Sequence, residues 1–233
     1  MIEVVKLKGT YFDRNSRNEF IGKTFHQVLK GNVLNISGGG SKHLQGFISC
    51  QKYVETDIAG NPDIFLDLDN TFPLPFDDNS FDCIVCTDVL EHLDKLHQVF
   101  EELIRISKNH LIISVPNATT EFKFWLRRIK YSGNDGLAGE NIGMFAKYYG
   151  LPLNAPEDRH RWFFSYTEAK YFFRGSGRKL NYRVISEYPT GAYAKTFKGK
   201  LARFFANIFL SKSQYEDLFY PTYWCLIEKK NVE

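Results

Sequence analysis

Short apolar runs alternate with polar segments along residues 32 to 116, and each run has the length of a buried strand. The runs are NVLNIS, KYVETDI, DIFLDLD, FDCIVCTDV and HLIISVP. Between the last two, apolar residues recur at helical spacing with charges opposite, which predicts a helix buried through Leu96, Val99, Phe100, Leu103 and Ile106. Strand, helix and strand in repeated order predict a parallel sheet with right-handed crossovers.

The pattern changes after Pro116. EFKFWLRRIKY has helical spacing of its aromatic and aliphatic residues, and a glycine-rich and then an aromatic segment follow it. This stretch is too long for an ordinary connection, which predicts a lid or cap. SYTEAKYFFRGSGRKL predicts a helix with Ser165 as its N-cap and Glu168 completing a capping box. NYRVISEYP and TYWCLIEKK predict two closing strands.

These elements predict a single α/β domain over residues 1–233. Its core spans about 30–117, a helical and aromatic cap about 118–164, and C-terminal helix and strand elements 165–233. The length favours one domain with an insertion over two independent domains.

Composition indicates a globular chain, because 43% of the residues are hydrophobic, 24% are charged and the mean hydropathy is −0.33. The N-terminal sequence lacks the features of a secretory signal, so we expect a cytoplasmic protein. A net charge of +3 is too small to indicate a polyanionic partner, and we expect no nucleic-acid binding. Cys83 and Cys86 form a C-x-x-C pattern inside a predicted strand, where residues three apart point to opposite faces, so neither metal nor redox chemistry is expected there.

Candidate chemistry lies where the predicted strands end, since open parallel sheets bind ligands beyond the carboxyl ends of their strands. The glycine loop VLNISGGGSKHL has His43 where a dinucleotide fingerprint needs its third glycine, and it lacks the G-K-[ST] of a P-loop. Asp57 ends the second run 18 residues beyond Gly39, the position at which an acid accepts hydrogen bonds from a ribose diol.

The ordered set VLNISGGG, YVETDIAG, LPFDDNSFDCIVCTDVLEHL and HLIISVPN resembles the class I S-adenosylmethionine-dependent methyltransferases of the methyltransferase type 11 kind. The resemblance covers roughly residues 30 to 117. It implies a Rossmann-like, seven-stranded, mostly parallel sheet with an antiparallel last strand, and S-adenosylmethionine as cofactor. It also implies a cofactor site formed by Asn35, Ser37, Gly38, Gly39, Asp57, Ile58, Asp67, Leu68, Thr87 and Asp88.

Within that site, the resemblance implies that the glycine loop contacts the methionine moiety of the cofactor and that Asp57 binds the ribose hydroxyls. It also implies that Asp67 and Leu68 lie beside the adenine. The loop departs from the family pattern, because Asn35 replaces an acid and Ser37 and Ser41 replace outer glycines. We expect Gly38 and Gly40 to supply the positive φ values one position over. Considered without the rest of the pattern, Asp57 and Asp67 could each simply cap a helix or a turn, which is a common role of aspartate.

His160 and His92 are the candidate general bases, because an imidazole of ordinary pKa suits removal of a proton from an acceptor hydroxyl. A solvated ion-pair cluster around His160, and a first-turn role for Glu91 and His92 in the following helix, remain open alternatives. Along the sequence the histidines and acids show no dense ligand spacing, so no metal is expected.

The sequence thus predicts in-line methyl transfer to a small-molecule or glycan-type acceptor, the glycan class resting on family analogy alone. Two alternatives stay open: a catalytically inactive methyltransferase-like binding protein and a nicotinamide-dependent oxidoreductase. A nucleic-acid base methyltransferase is disfavoured because TDVL stands where a [DN]-P-P-[FY] turn is usual. Residues 195–212 form a basic amphipathic segment that indicates either peripheral membrane contact or packing on the sheet or on a second subunit, and the oligomeric state stays open.

Overall fold

The computed structural model describes residues 13–128, 159–190 and 197–230. The described strands are β1 (Asn32–Ile36), β2 (Lys52–Asp57), β3 (Ile64–Phe65), β4 (Phe81–Thr87), β5 (Ser107–Pro116), β6 (Tyr182–Thr190) and β7 (Thr222–Lys229). The described α-helices are α1 (Arg14–Phe25), α2 (Leu96–Ile106), α3 (Ala118–Arg128), α4 (Tyr166–Gly175), α5 (Phe197–Phe209) and α6 (Lys212–Phe219). Two short 3₁₀ turns, His43–Phe47 and Leu90–His92, follow β1 and β4.

All seven strands form one sheet in the order β3-β2-β1-β4-β5-β7-β6. The pairs from β3 through to β5 are parallel, whereas β7 runs antiparallel to both β5 and β6. The predicted fold class is therefore confirmed. Because β1, β2, β4 and β5 are parallel, their carboxyl ends meet at one edge of the sheet, and the glycine loop and the Leu90–His92 turn begin there.

Apolar side chains cover both faces of the sheet in two separate clusters. One cluster contains the buried face of α2 and of α4, and the other contains the buried face of α1. Cys86 belongs to the first cluster and Cys83 to the second, which confirms that the C-x-x-C residues point to opposite faces. Burial raises the pKa of both thiols, so they are packing residues in the reduced state.

The sequence predicted two of the helices well and missed two others, α1 and α6. Every apolar residue predicted for the buried face of α2 is buried. At the start of α4, Ser165 Oγ accepts from the Glu168 N–H while the Glu168 carboxylate accepts from the Ser165 N–H, as the capping box predicted. Each missed helix begins with a capping box, between Asp13 and Ser16 in α1 and between Ser211 and Gln214 in α6.

The turn after β4 differs from its prediction, and the segment after β5 agrees with its prediction where it is described. Glu91 and His92 do not lie in the first turn of a helix, because they belong to the 3₁₀ turn and α2 begins only at Leu96. The helix predicted from EFKFWLRRIKY is present as α3, whereas most of the predicted cap, residues 129–158, lies outside the described residues.

The amphipathic segment forms helix α5, and its apolar face does not cover the sheet. From residue 201 to residue 209 the face is exposed, through Leu201, Phe204, Phe205, Ile208 and Phe209. Packing on the protein's own sheet is therefore contradicted for residues 201–209, whereas packing on a second subunit stays a prediction. Among the described helices, none combines the length and apolarity needed to cross a membrane.

Candidate cofactor-binding and catalytic site

The loop after β1 turns through four residues of positive φ: Ser37 at 53°, Gly39 at 86°, Gly40 at 63° and Lys42 at 53°. The expectation that Gly38 relieves the serine is wrong, because Ser37 itself adopts the left-handed conformation and Gly38 does not. This conformation costs a residue with a side chain about 1 kcal/mol, which the loop contacts must offset.

Gly38 and Gly40 are required for close approach of neighbouring groups. A Cβ on Gly38 would lie 2.2 Å from Glu55 Oε2, and a Cβ on Gly40 would lie 2.5 Å from the Ala59 carbonyl oxygen. Real Cβ contacts are essentially never this short. The loop is therefore packed tightly between the side chain of β2 and the backbone that follows β2.

Glu55 holds the loop from below. Its side chain is fully buried, and Oε1 accepts from the backbone N–H groups of Ser41 and Lys42, both at 3.0 Å. Oε2 accepts from the Tyr53 hydroxyl at 2.7 Å and from Asn35 Nδ2 at 3.1 Å. The acid that the family pattern puts on β1 is thus replaced by an acid on β2. Sequence reasoning missed Glu55, although its place two residues before Asp57 puts both side chains on one face of β2.

Asn35 therefore acts beneath the loop. Its buried amide donates to Glu55 and also to the Tyr53 hydroxyl at 2.9 Å, so the nitrogen is engaged within the protein. Hydrogen bonding to the carboxylate of Glu55 raises the pKa of the Tyr53 hydroxyl, after the larger effect of burial. Direct contact between Asn35 and a cofactor stays a prediction.

Asp57 and the glycine loop converge, as the sequence-based interpretation requires. Asp57 Oδ2 accepts from the Gly39 N–H at 2.7 Å, and Oδ1 accepts from the Ala59 N–H at 3.0 Å. A carboxylate offers about four acceptor positions, so these two bonds leave capacity for the two hydroxyls of a ribose. The side chain lies at the carboxyl end of β2, where it borders the cleft.

The next predicted residues differ in their surroundings. Ile58 is 73% exposed beside Asp57 and offers an apolar surface at the cleft, while Leu68 is buried in the core below it. Asp67 is exposed, and its carboxylate accepts from Asn70 Nδ2 and from the backbone N–H groups of residues 69 and 70. The Asn70 amide, more than any other contact, lowers the pKa of Asp67. The turn-capping interpretation of Asp67 is therefore confirmed, and its contact with adenine stays a prediction.

Helix α1 brings two arginines to the same edge of the sheet. A Cβ on Gly39 would lie 1.8 Å from Arg14 Nη1, so the guanidinium rests on the bare backbone of the loop. Arg17 Nη1 donates to Asp88 Oδ2 at 2.6 Å, and Ser114 Oγ donates to Asp88 Oδ1 at 2.6 Å. Asp88 adopts a φ of 54° directly after the buried Thr87, at the end of β4. No periodic signal in the N-terminal sequence indicated these arginines.

The residues predicted for catalysis come together at the end of β4. His92 and His160 meet edge to face, with ring centroids 4.6 Å apart, and His92 Nε2 lies 3.8 Å from Glu91 Oε1. Burial, followed by repulsion from Asp88, raises the pKa of Glu91 well above its ordinary value. The alternative of a solvated ion-pair cluster does not describe His160, since only 7% of it is exposed.

Backbone hydrogen bonds hold His160 in this position. The Glu91 carbonyl accepts from the N–H groups of Arg161 and Trp162 at 2.7 and 3.1 Å. Trp162 Nε1 also donates to the Leu93 carbonyl at 2.6 Å. The segment that carries His160 is therefore fastened to the turn after β4, although the two are distant in sequence.

The residues at this edge fit S-adenosylmethionine. Arg14 beside Gly39 would supply a cation for the methionine carboxylate, Asp57 would supply acceptors for the ribose hydroxyls, and Ile58 would supply an apolar surface for the adenine. Asp57 ends β2 and Ile58 follows it, Arg14 begins α1, and the Gly39 N–H donates to Asp57, so these groups lie at one edge of the sheet. The fit rests on charge and hydrogen-bonding capacity at described residues.

Comparison with known proteins agrees with this fit. The family model described as "Methyltransferase domain" matches residues 50–113. A SAM-dependent methyltransferase from Archaeoglobus fulgidus is similar in structure, with a TM-score of 0.57, 15% identity, and coverage of 94% of this chain and 95% of that one. No curated protein matches the sequence.

Two further solved structures show how widely the fold is used. The small RNA methyltransferase HEN1 is similar with a TM-score of 0.55 and 15% identity, over 98% of this chain and 27% of that chain. The [4+2]-cyclase SpnF is similar with a TM-score of 0.50 and 11% identity, over 94% of this chain and 81% of that one. At these identities the likeness shows the fold alone.

The sheet with its antiparallel β7 and the edge formed by the carboxyl ends of its parallel strands have the class I S-adenosylmethionine-dependent methyltransferase fold, and the methyltransferase-domain model matches residues 50–113 within it. The chain is accordingly an enzyme, and its cofactor is S-adenosylmethionine, as the sequence predicted. Since the same fold also occurs in a cyclase, the acceptor must be argued from the residues of this chain.

Proposed function

We propose that this enzyme methylates a hydroxyl group of a small-molecule or glycan acceptor by in-line displacement. The observation that carries the proposal is the convergence of Gly39 and Asp57 at one end of the cleft with the Glu91, His92 and His160 side chains at the end of β4. The first group of residues orients the cofactor, and the second faces the place where an acceptor oxygen would lose its proton. Alignment supplies most of the rate in such a transfer.

The bond changes balance without a further reactant. The cofactor supplies an electrophilic methyl group on a sulfonium. The acceptor oxygen forms the new bond to that methyl carbon while the carbon–sulfur bond breaks, and the acceptor proton passes to a base. Within the proposal, His160 and His92 handle this proton, since both rings border the cleft and Glu91 lies beside them.

Cofactor binding is tested first, by calorimetric titration with S-adenosylmethionine and, separately, with NAD. We expect binding of S-adenosylmethionine, and we expect Asp57→Ala to weaken it by 1 to 3 kcal/mol, or about 5- to 150-fold, because the ribose loses a charged acceptor. Asp77→Ala, which removes an exposed carboxylate, is the matched control. Preferential binding of NAD would favour the oxidoreductase alternative, and no binding of either would favour the inactive binding protein.

Acceptor class is tested by release of S-adenosylhomocysteine in the presence of sugars, phenols, small amines and short RNAs. Turnover with a hydroxyl compound or a glycan supports the proposal. Turnover restricted to amines or to RNA contradicts it. The His160→Gln variant should keep its cofactor affinity while losing turnover, because the ring lies among the acceptor-facing groups and away from the glycine loop.

We also propose that the exposed face of α5 contacts an anionic lipid surface. The helix sequence FKGKLARFFANIF contains two lysines and an arginine and no acid, and Lys195 and Lys212 flank it. Phe209, at 78% exposure, lies at the end of the uncovered apolar face. An apolar face bordered by cations suits the boundary between acyl chains and anionic headgroups better than it suits an acidic or polar protein partner.

Sedimentation with vesicles tests this contact. We expect the protein to sediment with vesicles containing phosphatidylserine and much less with pure phosphatidylcholine vesicles, and we expect Phe209→Glu to abolish the difference. Tyr171→Glu is the control, because Tyr171 is an equally exposed aromatic residue on α4. Failure to bind either vesicle, or a dimer in light scattering that Phe209→Glu dissociates, contradicts the lipid assignment.

A further inference from the structure

The cluster at the end of β4 has the composition of a metal site. Glu91, His92 and His160 each offer one ligand atom, and these atoms lie within 4.8 Å of one another. Two imidazoles and one carboxylate are a ligand set that divalent first-row transition metals accept, leaving open positions for water or substrate. The three residues come from two segments that are distant in sequence, which is why ligand spacing along the chain gave no sign of the site.

Glu91 provides the second, independent observation. Its side chain is 1% exposed, and its Oε2 atom has no hydrogen-bond partner within the described parts of the chain. An ionised carboxylate in such a place is costly unless it is paired or coordinates a metal. The unpartnered oxygen therefore points to a cation as the missing partner.

The cluster is also held in place before any ion arrives. The Glu91 carbonyl accepts two backbone N–H bonds from the segment that carries His160, and Trp162 Nε1 bonds to the Leu93 carbonyl next to His92. Metal–ligand bonds of about 2.1 Å put tetrahedral ligands about 3.4 Å apart. The three ligand atoms lie within 4.8 Å of one another, so they need to approach by about 1.4 Å at most to bind one ion.

We propose that Glu91, His92 and His160 bind one divalent transition-metal ion, of the class of Mn²⁺, Co²⁺ or Zn²⁺, at the end of β4. The role of this ion in catalysis, unlike its binding, rests on the proposed function. The bound ion coordinates the acceptor hydroxyl oxygen and lowers its pKa, so that the proton leaves to solvent before or during attack on the methyl carbon. The imidazoles are then ligands, and the metal takes over the proton-releasing role that the uncoordinated rings would otherwise have.

The test uses the full-length protein after dialysis against a chelator, titrated with MnCl₂ by calorimetry and with CoCl₂ by visible absorption, in the absence of S-adenosylmethionine. We expect one ion per chain. Glu91→Gln, which preserves the side-chain volume, and His160→Gln should each weaken binding at least tenfold. His26→Ala is the control, since His26 lies at the end of α1 outside the cluster and should leave binding unchanged.

Two further measurements separate the possible failures. Circular dichroism and the thermal midpoint of each variant establish that it is folded, and titration with S-adenosylmethionine tests the cofactor site independently of the metal. Absence of Mn²⁺ and Co²⁺ binding by a folded protein that binds S-adenosylmethionine overturns the metal site and leaves the methyltransferase function standing. Equal metal affinity in the wild type, Glu91→Gln and His160→Gln also overturns it.

Discussion

Replacement of Glu55 tests how the glycine loop is held. The four donors to its carboxylate include two backbone N–H groups of the loop and two side chains that lie beneath it. Each hydrogen bond to a charged group contributes about 1.5–3 kcal/mol, and a donor left buried without a partner costs about 1–3 kcal/mol. In Glu55→Ala water can reach the loop N–H groups, so the loss comes mainly from the two side-chain donors. We expect the free energy of unfolding to fall by about 3 kcal/mol.

Glu55→Gln should have a smaller effect. The amide retains one oxygen, which can still accept from Ser41 and Lys42, but its NH₂ group then faces the donors Tyr53 and Asn35. The Tyr53 hydroxyl can turn to accept, so we expect a loss of about 1–2 kcal/mol. Urea unfolding followed by tryptophan fluorescence measures both variants.

Glu101→Gln is the matched control, because Glu101 forms an exposed ion pair with Lys179 that should contribute at most about 0.5 kcal/mol. A double-mutant cycle adds a sharper test. Gly38→Ala should be less costly in the Glu55→Ala background, because the Cβ no longer meets the Glu55 carboxylate. The reasoning is refuted if the free energy of unfolding of Glu55→Ala lies within about 1 kcal/mol of the wild-type value. It is also refuted if the effects of Gly38→Ala and Glu55→Ala on that free energy are additive.

Other predictions concern the loop, acid stability and thiol reactivity. Gly39→Ala should destabilise the protein by more than about 1 kcal/mol, since φ is +86° and the Cβ would meet a guanidinium, whereas Gly46→Ala meets no described atom within 4 Å and should change the urea midpoint little. The Arg105 guanidinium, chiefly, lowers the pKa of Glu102, so its stabilising contribution is present above the unfolded pKa of about 4.3 and is lost as pH falls through the lower folded value. The stability difference between wild type and Glu102→Gln should accordingly shrink below pH 4 in acid titrations, and a constant difference would contradict this. Iodoacetamide should alkylate only Cys50 among the four cysteines in the native protein, and rapid labelling of a second thiol would contradict the burial of the others.

The sequence predicted those parts of the fold whose signal is local. The buried face of α2 follows from its helical spacing, and the start of α4 follows from Ser165 and Glu168, because a capping box involves residues three apart. The parallel pairing of the first five strands followed from strand and helix alternation, whereas their order in the sheet was not predicted. α1 was missed because its polar residues interrupt the apolar spacing, although Asp13 and Ser16 mark its beginning.

The site was only partly predictable, because its contacts cross between elements. The position of Asp57 beside Gly39 could be expected from strand ends that share an edge. The dependence of Gly38 on Glu55 could not, since it is set by the register between β1 and β2. The approach of His160 to Glu91 depends on backbone hydrogen bonds made after a long intervening segment, and no spacing rule along the chain describes such contacts.

The interior position of β7 has a consequence for biosynthesis. This strand pairs with β5 on one side and β6 on the other, yet it is the last of the seven strands to leave the ribosome. Until it emerges, β6 has no strand partner and one edge of β5 is open, and both are surfaces on which nascent chains can associate wrongly. Closure of the sheet therefore awaits the end of translation of this segment, and protection of those edges by chaperones matters most in the interval between synthesis of β6 and of β7.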